Sequence, residues 1–187
     1  MKIAYILYPE VVISNRSNGV RSQAEMWAEL LRAEGHSVDY VNNWSDYNWK
    51  SYDIIHLFGG GKWIYKVAKR LSFINPHIVW SPIIDPRLAR YTYQKYSLGR
   101  WLQTVTRDKM QWKYSEETKA LPYCARILTR TVFEGEFISR ALGVPKDIIF
   151  KVPLSYSSSC SPYKPLRKSR SACISLPFIK IGRTSYV

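Results

Sequence analysis

Short apolar runs alternate with amphipathic segments over residues 1–154 of the chain. The runs have the length of β-strands, and most lack a polar face, as expected of strands buried on both sides of a sheet. They lie at residues 2–7, 37–41, 53–58, 77–84, 125–129 and 147–154. The segments between them have helical spacing, and such alternation predicts a parallel sheet. We therefore expect an α/β protein with a Rossmann-like, doubly wound, mostly parallel sheet.

The first predicted helix follows an Asn-Gly turn and ends at Gly35, which suits a left-handed C-cap. Its apolar stripe consists of Val20, Ala24, Trp27, Ala28, Leu30 and Leu31. A second helix is predicted over residues 62–73. The last covers residues 132–142, where Thr131 and Glu134 have the spacing of a capping box.

Residues 87–119 form a long basic segment with one predicted apolar face. That face consists of Leu98, Trp101, Leu102, Val105 and Trp112. Basic residues populate the other faces, among them Arg100, Arg107 and Lys113. We expect a basic helix that lies over the sheet.

The net charge of +14 is unevenly distributed. Residues 1–60 carry 5 Lys and Arg against 7 Asp and Glu, whereas residues 61–154 carry 17 against 7, and residues 155–187 carry 6 against none. A basic surface attracts nucleic acid, an anionic membrane or a phosphorylated ligand. Charge alone does not choose among these partners.

The sequence also bears on location and metal binding. No apolar run approaches the roughly 20 residues needed to span a bilayer, and the short apolar run after Lys2 does not predict a signal peptide. We expect a cytoplasmic protein, with a peripheral position at the membrane as the alternative. Cys124, Cys160 and Cys173 lack the spacing of metal ligands, so we expect no metal site.

Candidate chemistry lies in the loops that follow strands, because ligands of open α/β sheets bind beyond the carboxyl ends of the strands. Residues 59–62 read Gly-Gly-Gly-Lys, but they lack Walker spacing, and Trp63 stands where a Ser or Thr is needed. A tight turn is the simpler interpretation. Asp85 follows the fourth strand and is a candidate exposed carboxylate. His56 lies inside a strand, and we predict a hydrogen-bonded core residue.

Four segments occur in an order and spacing shared with a known family. They read KIAYIL at 2–7, NGVRSQAEMWAELLRAEGHSVDYVN at 18–42, YDIIHLFG at 52–59 and ARILTRTVFEGEFISRALGVPKDIIFKVPL at 125–154. Together they resemble the N-terminal half of a group 1 glycosyltransferase, from the large retaining family four with the GT-B fold.

The resemblance implies that residues 1–154 are an acceptor-binding domain. In that family a second domain, with an E-x(7)-E-type signature, binds the nucleotide-sugar donor. That signature is missing from the sequence, so we expect the chain to be inactive alone and to have no cofactor of its own. Residues 81–86, SPIIDP, replace a His-containing loop of many members, so the catalytic residues stay unassigned. The candidate acceptor-binding residues are Asn18, Gly19, Arg21, Gly59, Gly60, Gly61 and Asp85.

Residues 155–187 lose all periodicity, and serines, prolines and basic residues dominate them. We expect an irregular tail. In one back-translation of residues 170–187, a one-base shift yields a string that resembles the opening strand and loop of the family's donor domain. We therefore interpret the tail as the product of a shifted reading frame, with exposed, functionless thiols at Cys160 and Cys173.

Two partner predictions follow. As a glycosyltransferase domain, the chain would bind a sugar or lipid-linked sugar acceptor and meet an anionic membrane through Arg100, Arg107 and Lys113. The alternative is a non-enzymatic basic α/β binding module, in which residues 87–119 engage an anionic membrane surface or nucleic acid. No recognised nucleic-acid motif occurs in the sequence, so no specific nucleic acid is expected.

Overall fold

The computed structural model describes residues 1–8, 19–42, 44–84 and 91–153. Within these ranges six strands form one sheet in the order β2-β1-β3-β4-β5-β6, and every neighbouring pair is parallel. The strands are β1 (Lys2–Leu7), β2 (Ser37–Tyr40), β3 (Ile54–Phe58), β4 (Ile78–Ser81), β5 (Arg126–Thr129) and β6 (Ile149–Lys151). The predicted Rossmann-like, doubly wound parallel sheet is confirmed.

Helices cover both faces of this sheet. They are α1 (Gly19–Ala33), α2 (Ile64–Ser72), α3 (Thr92–Val105), α4 (Ser115–Ala120) and α5 (Val132–Leu142). Helix α1 packs on one face, against Ile3, Tyr5 and Phe58. Helices α2 and α5 pack on the other face, around Leu57 and Trp80. Among the described residues, no helix is both long enough and apolar enough to cross a bilayer.

The predicted apolar stripe of α1 is largely correct. Three of its members are buried, namely Ala24, Trp27 and Ala28. Leu30, however, is 50% exposed, because it lies roughly 200° around the helix from Ala28. Gly19 is the first residue of α1 and not part of the turn before it.

The C-terminal end of α1 has the predicted glycine cap. Gly35 has a φ of 84°, its N–H donates to the carbonyl of Arg32 at 3.0 Å, and the N–H of His36 donates to the carbonyl of Leu31 at 2.9 Å. These two bonds form a Schellman motif, which satisfies the last carbonyls of the helix.

Strand β4 is shorter than predicted, because it ends at Ser81 and not at residue 84. Pro82 has no N–H for the sheet ladder, and Ile83 takes a left-handed φ of 52°. The chain therefore leaves the sheet at Pro82, although Ile84 is still buried.

The predicted apolar face of residues 87–119 is wrong for its first helix. Leu98, Trp101 and Val105 are exposed large apolar residues, whereas Thr92 and Gln103 are the buried residues of α3. The inward face of α3 instead carries aromatic rings and the Gln103 amide, and the predicted apolar face is exposed. A second helix, α4, follows after residues 106–114.

Contacts of α3 with α5 and with residues 108–115 explain this inversion. The ring of Tyr96 packs edge-to-face on the rings of Tyr114 and Phe137, with centroids 5.2 Å and 5.5 Å away. The Gln103 amide donates to the carboxylate of Asp108 at 2.8 Å and to the carbonyl of Ser115 at 3.3 Å. Because its polar atoms are paired, burying Gln103 costs little.

Several predictions fall outside the described residues. These are the candidate residues Asn18 and Asp85 and the tail at residues 155–187, including Cys160 and Cys173. The remaining thiol, Cys124, is buried, and burial raises its pKa to about 12.

Candidate ligand-binding crevice

The winding of the sheet reverses between β1 and β3, because β1 pairs with β2 on one side and with β3 on the other. In open α/β sheets a ligand crevice forms at this point, beyond the carboxyl ends of the strands. The ends of β1 and β3, the start of α1 and residues 59–63 therefore border the crevice. The Tyr8 ring packs against the end of β3, because a Cβ built on Gly59 would lie 3.0 Å from it.

The triglycine turn after β3 is held by bonds to the protein itself. The carbonyl of Gly59 accepts from the indole N–H of Trp80 at 2.7 Å, and the carbonyl of Gly60 accepts from the indole N–H of Trp63 at 3.1 Å. The N–H of Gly59 donates to the carbonyl of Ser81 at 2.8 Å. Residues 59–61 therefore form a tight turn, as the simpler interpretation of their sequence predicted, and this turn lies at the edge of the crevice.

Glu117 on α4 completes this arrangement. Its Oε1 accepts from the N–H of Gly61 at 2.8 Å, and a Cβ on Gly60 would lie 2.8 Å from the same oxygen. Burial raises the pKa of Glu117. While this carboxylate stays in place, a phosphate does not fit on the Gly61 amide. Sequence reasoning missed Glu117, because its partner lies 56 residues earlier in the chain.

Two candidate acceptor-binding residues, Gly19 and Arg21, lie at the start of α1. Arg21 donates through Nε to the Glu25 carboxylate at 2.8 Å, and both side chains are about half exposed. A Cβ on Gly19 would meet no atom within 4 Å, so packing does not require glycine there. Neither residue is fixed by the rest of the crevice.

The underside of α1 buries polar atoms that lack partners. Within the described part of the chain, no hydrogen bond reaches the Gln23 amide nitrogen, the Trp27 indole nitrogen or the Tyr5 hydroxyl. Gln23 is only 2% exposed. Because α1 begins at the crevice, Gln23 lies roughly 6 Å nearer to it than Trp27, one helical turn later. Buried donors without partners are rare, so these atoms are candidates for contact with a ligand.

Gln23 was missed by sequence reasoning for a simple reason. A glutamine beside an apolar stripe is normally assigned to the solvated face of a helix. Only the folded structure identifies Gln23 as a candidate, because it shows this residue on the buried face of α1. The apolar residue that marks this face one turn later is Trp27, which was predicted.

His56 is a core residue, as predicted. Its Nε2 and the Ser81 hydroxyl share a hydrogen bond of 2.8 Å, and its ring stacks on Phe58 with centroids 4.0 Å apart. Burial lowers the pKa of His56 to about 3, so the imidazole is neutral at physiological pH. Among the described residues, neither His56 nor any other side chain belongs to a group of three His, Cys, Asp or Glu that could hold a metal ion.

Glu134 connects the loop after β4 to the start of α5. Its Oε1 accepts from the N–H of Ile84 at 2.7 Å, and its Oε2 accepts from the N–H of Arg130 at 2.7 Å. Thr131 caps α5 as predicted, because its hydroxyl accepts from the N–H of Glu134 at 3.1 Å. The predicted capping box is thus half correct: the carboxylate reaches Ile84 and Arg130, and not the N–H of Thr131.

A scan against protein-family models found no match, and a search of curated proteins found none either. The resemblance to group 1 glycosyltransferases therefore stays a prediction from the four quoted segments.

Proposed function

We propose that the described domain is the acceptor-binding domain of a nucleotide-sugar-dependent glycosyltransferase. The observation that carries the proposal is the unpartnered amide donor of Gln23 in the first half of α1, the helix that begins at the crevice of the β1–β3 switch point. The four segments that carry the resemblance form most of the domain. The first supplies β1, the second α1 and β2, the third β3, and the fourth the stretch from β5 to β6. Fold alone does not define function, so the chemistry of the crevice has to support the assignment.

That chemistry favours an uncharged saccharide over a phosphate group. Sugar hydroxyls both donate and accept, so one hydroxyl would satisfy the buried Gln23 donor. The Glu117 carboxylate occupies the Gly61 amide on the other side of the crevice, and its negative charge disfavours a second anion there. Residues 1–60, which supply most of the crevice, carry more acidic than basic side chains.

The proposed role of this domain in catalysis is positioning. Holding an acceptor hydroxyl against a donor sugar supplies a large part of the rate enhancement of a two-substrate reaction. In this arrangement the nucleotide-sugar is bound by a separate domain. The described domain therefore binds acceptor, contributes no cofactor and does not bind the donor tightly.

Saturation-transfer NMR on the 187-residue chain tests the proposal against a panel of neutral mono- and disaccharides. We expect binding by the wild type and about tenfold weaker binding by Gln23→Met, which removes the donor and conserves shape. The Met variant should fold at least as stably, because it removes an unpartnered buried donor. Saccharide binding that is equal in both proteins, or micromolar affinity for a UDP- or GDP-sugar, would contradict the proposal.

A further inference from the structure

Helix α3 carries an exposed apolar stripe that the core does not use. Leu98 is 56% exposed, and Trp101 and Val105 are each 59% exposed. The spacing of three and four residues places these side chains on one face of the helix. We refer to Leu98, Trp101 and Val105 as the α3 stripe.

The inner face of α3 is already occupied, so the α3 stripe cannot be explained by packing within the described residues. Gly99 lies against Trp112, where a Cβ would come within 3.0 Å of the indole ring. Gln103 is buried on the same side. Large apolar side chains grouped on a surface indicate a binding surface more often than an accident of composition.

Exposed cations adjoin the C-terminal end of the stripe. Arg107 and Lys109 are both exposed, and with Val105 they line one shallow depression that continues to Met110. Over residues 91–113 the chain carries 5 Lys and Arg and a single acidic residue, Asp108. That carboxylate accepts from the Gln103 amide at 2.8 Å, so it is already engaged on the protein side.

The backbone at Arg107 has an unusual conformation for a residue other than glycine. The N–H of Arg107 donates to the carbonyl of Thr104, and the N–H of Asp108 donates to the carbonyl of Gln103. These bonds make Arg107 the residue that follows a helix end in a Schellman motif, a position normally taken by glycine. Its φ of 48° lies in the left-handed region, which is strained for a residue other than glycine. A cationic residue therefore stands at a position that favours glycine.

The other two predicted cations differ in their surroundings. A Cβ on Gly143 would overlap the Arg100 guanidinium, so Arg100 lies over the C-terminal end of α5, where a cation is favourable. Lys113 is exposed, with its ammonium 5.0 Å from the centre of the Tyr114 ring. Arg100 therefore serves the fold. The exposed cations at the C-terminal end of the stripe are Arg107 and Lys109, while the exposed Arg140 lies beside Leu98 and Trp101 and over the Tyr93 ring.

We propose that the α3 stripe, with Arg107 and Lys109, is a docking surface for an anionic lipid bilayer. The helix would lie in the plane of the interface, with Trp101 and Leu98 among the headgroups and upper acyl chains and the two cations on lipid phosphates. A bilayer offers both an apolar layer and negative charge at once, which matches this surface. Nucleic acid would use the cations but leave Leu98 and Val105 without a partner. The proposal is independent of the glycosyltransferase assignment.

Vesicle co-sedimentation of the 187-residue chain tests this proposal. Vesicles are neutral phosphatidylcholine, alone or with about 30 mol% phosphatidylglycerol, at low and high salt. Two paired variants, Leu98→Ser/Trp101→Ser and Arg107→Glu/Lys109→Glu, probe the two halves of the surface. Trp44→Ser is the tryptophan control, because Trp44 is 95% exposed elsewhere. Lys66→Glu/Arg70→Glu is the charge control, at exposed positions of α2.

We expect wild-type binding to the anionic vesicles only, weakened by salt. Each paired variant at the α3 surface should bind about tenfold more weakly, while both controls stay within about twofold of wild type. Arg100→Gln should also stay within about twofold. The proposal is overturned if Leu98→Ser/Trp101→Ser binds as wild type does, if the two charge variants lose binding equally, or if DNA oligomers bind more tightly than the vesicles.

Discussion

The carboxylate of Glu117 and the backbone N–H of Gly61 are joined by a hydrogen bond of 2.8 Å. This contact ties the six-residue helix α4 to the turn after β3. It also fills the space above Gly60, where any larger residue would meet the same oxygen. One side of the crevice is therefore shaped by a residue that stands far away in the sequence.

Replacing Glu117 with Ala should lower the free energy of unfolding by about 2 kcal/mol, because the Gly61 donor loses its partner. Glu117→Gln keeps an acceptor oxygen and tests the charge alone. Since burial raises the pKa of Glu117, ionisation costs the folded state stability as pH rises above about 4.5. The Gln variant should therefore gain stability relative to wild type as pH rises above about 4.5. Urea unfolding that shows the opposite trend would rule out this account.

Gly60→Ala should be costly only while Glu117 is present. The φ of Gly60 is not left-handed, so the main obstacle to alanine is the Glu117 oxygen 2.8 Å from the added Cβ. We expect a loss of about 1–2 kcal/mol in the wild-type background. In a Glu117→Ala background the same change should cost less than about 0.5 kcal/mol. A double-mutant cycle measures the difference, and additive losses would mean that the two residues do not compete.

His56 should make stability fall in mild acid. Burial lowers the pKa of His56 to about 3, so the unfolded chain takes up a proton between pH 6.5 and 3 while the folded protein does not. Relative to His56→Gln, the wild type should lose about 1.4 kcal/mol per pH unit below pH 6. His77→Gln is the matched control at an exposed position. Parallel stability profiles for wild type and His56→Gln would contradict the buried neutral imidazole.

The sequence predicts this fold well wherever side-chain periodicity reflects burial. The run at residues 2–7 became β1, and the stripe around Trp27 became the buried face of α1. Helix α3 shows where that logic fails. Its buried face includes Gln103, whose partners Asp108 and Ser115 are fixed only by the tertiary structure. A polar side chain with such partners is indistinguishable in sequence from a solvated one.

The crevice was less predictable than the sheet. Its position follows from the strand order, and residues 59–61 form the tight turn that their sequence predicts. The groups that give it chemistry were not: Gln23 has the sequence context of a surface residue, and Glu117 meets Gly61 only after α4 packs beside the turn. Side-chain roles that depend on pairs distant in sequence are set only by the folded structure.

Glu134 should matter more for stability than the helix cap beside it. Its buried carboxylate holds the N–H groups of Ile84 and Arg130, each at 2.7 Å, whereas Thr131 contributes one bond to α5. We expect Glu134→Gln to cost about 3 kcal/mol, because an amide cannot accept both bonds. Thr131→Ala should cost about 1 kcal/mol. Hydrogen exchange at the Ile84 and Arg130 amides separates the two roles: at least one of them should accelerate in Glu134→Gln, and Ile84 should not accelerate in Thr131→Ala. Unchanged protection of both amides in the Gln variant would mean that Glu134 does not hold these two N–H groups.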